Sequence, residues 1–167
     1  MIKIFISIIY ILLFLSSNSL AEKIVYLDVD YLLMNSNKGK KILKNLDEIN
    51  LQNIKKLEEK EKLLKEEEVK IIQQKNILNI DKYNEKVKNF KIKIEEHRSE
   101  KDLLVSSFNK RKETDINNFI KMVDKILSKY VQNNSIDLVL NKKDILMGKN
   151  SYNITNNIMD IINNSTD

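Results

Sequence analysis

The chain has 167 residues, 42% hydrophobic and 32% charged, with a net charge of +5, which is enough for one domain and a modest core. It has no cysteine, one histidine, no proline and two glycines. That composition excludes disulfides, thiolate metal sites and a lipid-modified cysteine. It also leaves the 108 residues between Gly39 and Gly148 without either of the two strongest helix breakers.

Residues 1–21 read as an export signal: Lys3 supplies a positive start, Ile4 to Leu15 is an apolar run, and Ser19-Leu20-Ala21 has the small-x-small form of a cleavage site. Cleavage after Ala21 leaves a soluble mature chain from Glu22, without a second long apolar run. Residues 40–134 hold 23 Lys and Arg against 17 Asp and Glu, so the helical part is the basic part. Asn, Ile and Lys are all common, as in AT-rich coding sequence, and part of that charge is therefore compositional.

Lys23 to Val29 is β-branched and aromatic and predicts a buried strand, with Asp30 as cap of the helix that follows. Asn35-Ser-Asn-Lys-Gly39 predicts a kink or a helix end, after which helix runs on from Lys40. The first long stretch carries the seven-residue column Leu43, Asn50, Leu57, Leu64, Ile71, Leu78. Its companion column is Leu46, Asn53, Lys60, Glu67, Gln74, of which only the first is apolar. A tight coiled coil needs both columns apolar, so this seam predicts weak pairing and a mobile arm.

The second stretch has a heptad rhythm through Tyr83, Val87, Phe90, Ile94, His97, Lys101, Leu104 and Phe108, slips at Lys112 and Ile116, and resumes through Phe119, Val123, Ile126 and Tyr130. Asn79 and Asp81 divide the stretches and predict a reversal, which makes limbs of similar length, Asp30–Asn79 and Lys82–Asn133. The rival arrangement is one continuous rod. Beyond it, Ile136–Leu140 and Ile145–Met147 predict two short strands, and Asn153 or Thr155 caps a last helix with Ile154, Ile158, Ile161 and Ile162 on one face. The fold class is therefore mainly α with a small β body: strand, long antiparallel helical hairpin, two strands, C-terminal helix. Residues 40–133 form the arm; 22–39 and 134–167 form the body, too small a core to stand alone, which predicts an oligomer. Its interface candidates are Val25, Leu27, Val29, Ile136, Leu138, Leu140, Ile145 and Met147.

The segment from Lys23-Ile-Val-Tyr-Leu-Asp-Val29 to the Ser36-x-x-Gly39-Lys-Lys41 break, and at the other end Ile136-Asp-Leu-Val-Leu140, Ile145-Leu-Met147 and Asn153-Ile-Thr155, resemble the Skp/OmpH family of periplasmic outer-membrane-protein chaperones. Ile136 stands where the family often has an aromatic residue, and Asn153 where it often has an acid. The resemblance implies a homotrimer whose strands join in a small barrel, with helical hairpins hanging around a cavity. It also implies that unfolded outer-membrane proteins are the partners and that the periplasm is the location.

On this reading the chain is an ATP-independent holdase, and neither glycine lies in a phosphate-cradling loop. The alternative is a structural or tethering coiled coil of the envelope. Client-binding candidates are the distal apolar residues that exceed one seam: Leu63, Leu64, Ile71, Ile77, Leu78, Ile80 and Tyr83. Lys110, Arg111 and Lys112 are candidates for contact with an anionic membrane surface or lipopolysaccharide, although a run of this kind also serves as solubilising charge. Glu58 to Glu68 reads as a solvated helix face. The lone His97, in seam phase, reads as a packed residue, and no residue pattern proposes a catalytic set, a metal or a cofactor. Nucleic acid is not an expected partner, since the basic charge is diffuse and the chain is exported.

Overall fold

A computed structural model describes residues 22–165; the export-signal reading of residues 1–21 lies outside them. The elements in chain order are β1 (Ile24–Leu27), α1 (Val29–Asn35), α2 (Asn37–Gln73), α3 (Ile80–Asn133), β2 (Leu138–Asn141) and α4 (Thr155–Asn164). Single 3-10 turns at Lys142–Asp144 and Asn150–Tyr152 lie between β2 and α4.

The first three helices each start where a side chain accepts a hydrogen bond from an otherwise unpaired backbone N–H. Asp28, not Asp30, caps α1: its Oδ1 accepts from the Tyr31 N–H at 2.9 Å. Val29 therefore begins a helix and does not end the strand. Ser36, wholly buried, caps α2 by accepting from the Gly39 N–H at 3.1 Å. Asn79 caps α3 in the same way, accepting from the Lys82 N–H at 3.0 Å, with Asp81 in the first turn where a negative charge suits the helix dipole.

α2 and α3 lie side by side, so the long helical region is a hairpin and not a rod. The reversal occupies residues 74–79, at the near edge of the expected Asn79–Asp81, and the outgoing limb is divided into α1 and α2 while the return limb is one helix. α2 has 37 residues and α3 has 54, or ~55 Å and ~80 Å at the usual rise. The difference is made up at the base, where β1 and α1 occupy the length that α3 spans as one helix.

The base is built on β1. β2 pairs with it in parallel, Ile24 opposite Leu138 and Tyr26 opposite Leu140, after a crossover made by the whole hairpin. On the other edge Tyr26 bridges to Asn153, and the Tyr26 carbonyl accepts from the Ile154 N–H at 3.0 Å. The expected second C-terminal strand, Ile145–Met147, does not form; that segment is irregular, with Leu146 and Met147 almost fully exposed. Asn153 takes the edge position instead. This sheet is open rather than a closed barrel.

At the end of α3 the chain turns through Ser135 at φ 49°, and the Ile136 N–H donates back to the Val131 carbonyl at 3.1 Å. This is the Schellman arrangement with serine where glycine is usual. It aims Ile136 into one cluster with Val25, Leu27, Leu32, Phe119, Val123, Ile154, Ile158 and Ile162. Ile42 of α2 and Met122, Ile126, Leu127, Tyr130 and Val131 of α3 pack around it. The core thus takes in Ile42 and about the last four turns of α3, beyond the edges at 39 and 134 drawn from sequence. Burying Ile158 and Ile162 completely contributes ~1.5–3 kcal/mol each. Ile161, expected on the same face, is 38% exposed.

Candidate functional site

Two surfaces carry the candidate residues: the limbs of the hairpin and the outer face of the sheet. Along α2 both predicted columns turn toward α3, since Leu43, Leu46, Asn50, Asn53, Leu57, Lys60, Leu64, Glu67, Ile71 and Gln74 are all buried or half-buried. The polar column meets polar partners on the return limb. Lys60 Nζ lies 3.3 Å from Glu100, which also accepts from Lys56 at 2.7 Å. Lys93 Nζ donates to Glu67 at 2.6 Å, and Lys86 Nζ donates to Gln74 Oε1 at 2.7 Å. Each pair is one heptad further out on both limbs.

Lys101, expected in the seam, is exposed, and its neighbour Glu100 faces across instead. Hydrogen bonds from Lys56 and then Lys60 hold the Glu100 carboxyl below the usual glutamate range against a smaller upward pull from burial.

The client-binding candidates divide. Leu64 and Ile71 are buried between the limbs, so neither lies open on the hairpin surface. Leu78 and Tyr83 are half-buried, while Leu63, Ile77 and Ile80 are 64–78% exposed. Further exposed apolar residues went unpredicted: Leu51, Ile54, Val69 and Ile72 on α2, and Ile92, Leu103 and Val105 on α3. Their signal was available, because each is an apolar residue outside the inward columns.

Lys110, Arg111 and Lys112 do not converge. Consecutive helix positions point ~100° apart, and Arg111 is already paired with Asp115 at 2.6 Å. His97 is half-buried, and its Nδ1 is buried without a hydrogen-bond partner beside Leu64, Phe90 and Ile94. Among the described residues no cluster of three or more His, Asp and Glu could hold a metal ion, and no helix is long and apolar enough to cross a membrane.

The interface candidates of the base also split. Val25, Leu27 and Ile136 are buried in the subunit's own core and Val29 packs against it, so these four hold the subunit itself together. The opposite face of the sheet carries Ile24, Tyr26, Leu138 and Leu140, brought together by the alternation of side chains and the strand register. Ile24, Leu138 and Leu140 are 39–47% exposed there. Beside them Ile145, Met147 and Tyr152 line a cavity of about 320 Å³. Asp28 and Lys142 close the rim of the base with a 2.9 Å ion pair. Burial raises the Asp28 carboxyl, but hydrogen bonds from Lys142 and the Tyr31 N–H, with the charge of Lys142, bring it below its ordinary value.

The fold is shared with a crystal structure from Caulobacter crescentus CB15, described as that of a candidate OmpH-like outer membrane chaperone. The TM-score is 0.80 at 12% identity, over 85% of this chain and 84% of that one. No curated protein matches the sequence directly. A family model described as outer membrane protein (OmpH-like) matches residues 23–162. With that match spanning both ends of the base and the whole hairpin between them, the chain belongs to the OmpH-like family.

Proposed function

We propose that this chain is an ATP-independent holdase chaperone of the periplasm. It binds unfolded outer-membrane β-barrel proteins between the helical arms of a homotrimer and keeps them from aggregating. The observation that carries this reading is the scatter of exposed apolar residues along both limbs, among them Leu51, Leu63, Ile72, Ile77, Leu103 and Val105, on limbs otherwise rich in polar and charged residues. An unfolded barrel strand offers alternating apolar side chains that aggregate in water. Many shallow contacts on a long arm can hold such a chain and release it without a nucleotide-driven step. The role is non-catalytic.

Assembly is supported by the sheet face of Ile24, Leu138 and Leu140, which the subunit's own core leaves uncovered. The tethering alternative is less well supported, since each inward column of α2 is already turned against α3 of the same chain. Lys110 and Lys112 are the remaining candidates for an anionic surface.

A denatured outer-membrane barrel protein diluted into buffer, with and without this protein, gives the test. Strong suppression of light scattering without nucleotide is the expected result. Equal scattering in both samples rejects the holdase.

A further inference from the structure

The two ends of the hairpin are held by different forces. Near the base, α3 presents Phe119 and Val123, both almost fully buried in an apolar cluster. Farther out, the seam alternates Leu57, Leu64 and Ile71 with Lys60, Glu67 and Gln74, and the latter bond across to Glu100, Lys93 and Lys86. The lysines of these pairs reach the surface, Lys93 at 48% and Lys60 at 44% exposed, while Glu67 and Glu100 are 36% and 26% exposed. Water and salt therefore compete with them.

Two open grooves flank this seam. A groove of about 390 Å³ lies over Leu64, Phe90 and Ile94, and another of about 480 Å³ flanks Ile71 between Glu67 and Lys93. The buried Nδ1 of His97 finds no partner in the first groove. A narrow apolar seam flanked by open grooves and closed by partly exposed polar pairs separates more readily than the broad apolar base does.

We infer that these polar pairs form a latch, and that parting the distal limbs uncovers Leu57, Leu64, Ile71, Phe90 and Ile94 as a second apolar surface for an unfolded polypeptide. The occupant follows from chemistry. The newly bared strip is apolar and about one helix wide, and it is edged by Glu61, Lys65, Glu68, Arg98 and Lys101. Such a strip suits an extended chain with apolar side chains at intervals and charges of either sign between them. This half of the inference rests on the holdase reading, whereas the latch itself does not. Leu64 and Ile71 then contact clients only when the hairpin opens.

The test reverses the latch charges. Glu67→Lys with Glu100→Lys places like charges across both ion-paired positions, while Glu67→Lys with Lys93→Glu swaps one pair and keeps its attraction. In the reversed variant, amides of residues 57–71 and 86–100 are expected to exchange severalfold faster, with a severalfold rise in binding of an anilinonaphthalene dye. The swapped variant should stay near wild type. Amides around Phe119 and Val123 report whether the base stays folded, and Glu100→Gln gives a milder opening if the double reversal disrupts it.

Suppression of barrel-protein aggregation at lower molar excess by the opened variants supports the binding surface. Unchanged exchange and dye binding overturn the latch. Faster exchange with unchanged or poorer suppression overturns the second surface. A wild-type protein that suppresses nothing rejects the holdase reading and this surface with it, while exchange still decides the latch.

Discussion

Gly39 stands inside α2, three residues past its cap, where its presence answers a need for space. A Cβ there would lie 2.7 Å from the Leu33 carbonyl carbon and in closer contact still with its oxygen, because α1 and α2 join at a sharp corner around buried Ser36. Backbone cannot step aside as a side chain can. Gly39→Ala is expected to destabilise the base by ~1–3 kcal/mol, the usual range for overpacking. At Gly148 the added Cβ would meet the Tyr26 ring at 3.0 Å, and a small ring shift relieves that contact. Gly148→Ala should therefore stay within ~0.5 kcal/mol of wild type. Urea unfolding of the two variants checks the contrast, and equal losses would refute it.

At the scale of elements, the hairpin's polar seam brings a pH dependence with a definite sign. Glu100 is held below the ordinary glutamate value of 4.5 by hydrogen bonds from Lys56 and Lys60. A lowered folded value means that its contribution to stability is present above the ordinary value and is lost as pH falls through the lowered one. The middle of the hairpin should loosen in acid below about pH 4.5, and the rim of the base shares a dependence of the same sign through Asp28. Amide chemical shifts of residues 56–60 and 97–104, followed on acidification, should show a transition that Glu100→Gln removes. A transition of equal size in that variant would assign the loosening to other groups.

The hairpin also shows how far periodicity reaches. The step of seven from Leu43 to Leu78 marks the inward face, and Asn79 the start of α3, because both are local properties of the chain, whereas Ser36 lies in a break that reads as a helix end and caps α2 instead. That the companion column would be stitched to Glu100, Lys93 and Lys86 was not legible, since pairing depends on the register of two limbs. Register in turn depends on where the chain reverses, and residues 74–79 carry no glycine or proline to mark it.

At the scale of the molecule, the sheet separates two jobs that the strand sequences mix. Val25 and Leu27 close the subunit's core, while Ile24, Leu138 and Leu140 face outward with no covering element among the described residues. If the outward face joins subunits, Leu138→Asp with Leu140→Asp should convert the oligomer to monomer and leave the helical content of the subunit nearly unchanged. Multi-angle light scattering and far-ultraviolet circular dichroism check the two halves of that statement. An unchanged mass would place the assembly surface elsewhere. Loss of helix together with mass would show that the subunit does not fold alone.

The sequence by itself determined the long helices, the hairpin and the family resemblance, because heptad spacing, capping side chains and strand-forming runs act over a few residues. Only the tertiary structure decided which apolar residues are covered. Leu64 and Leu63 are neighbours, yet one is buried and the other 64% exposed. Val25 and Leu138, both apolar strand residues, face opposite sides of one sheet. It also gave the edge place beside Tyr26 to Asn153 instead of Ile145–Met147. The physical reason is that burial and edge pairing belong to contacts between residues far apart in the chain, across the two limbs for Leu64 and between the two chain ends for the sheet. Those contacts form only once the chain reverses and the hairpin brings its two ends back together.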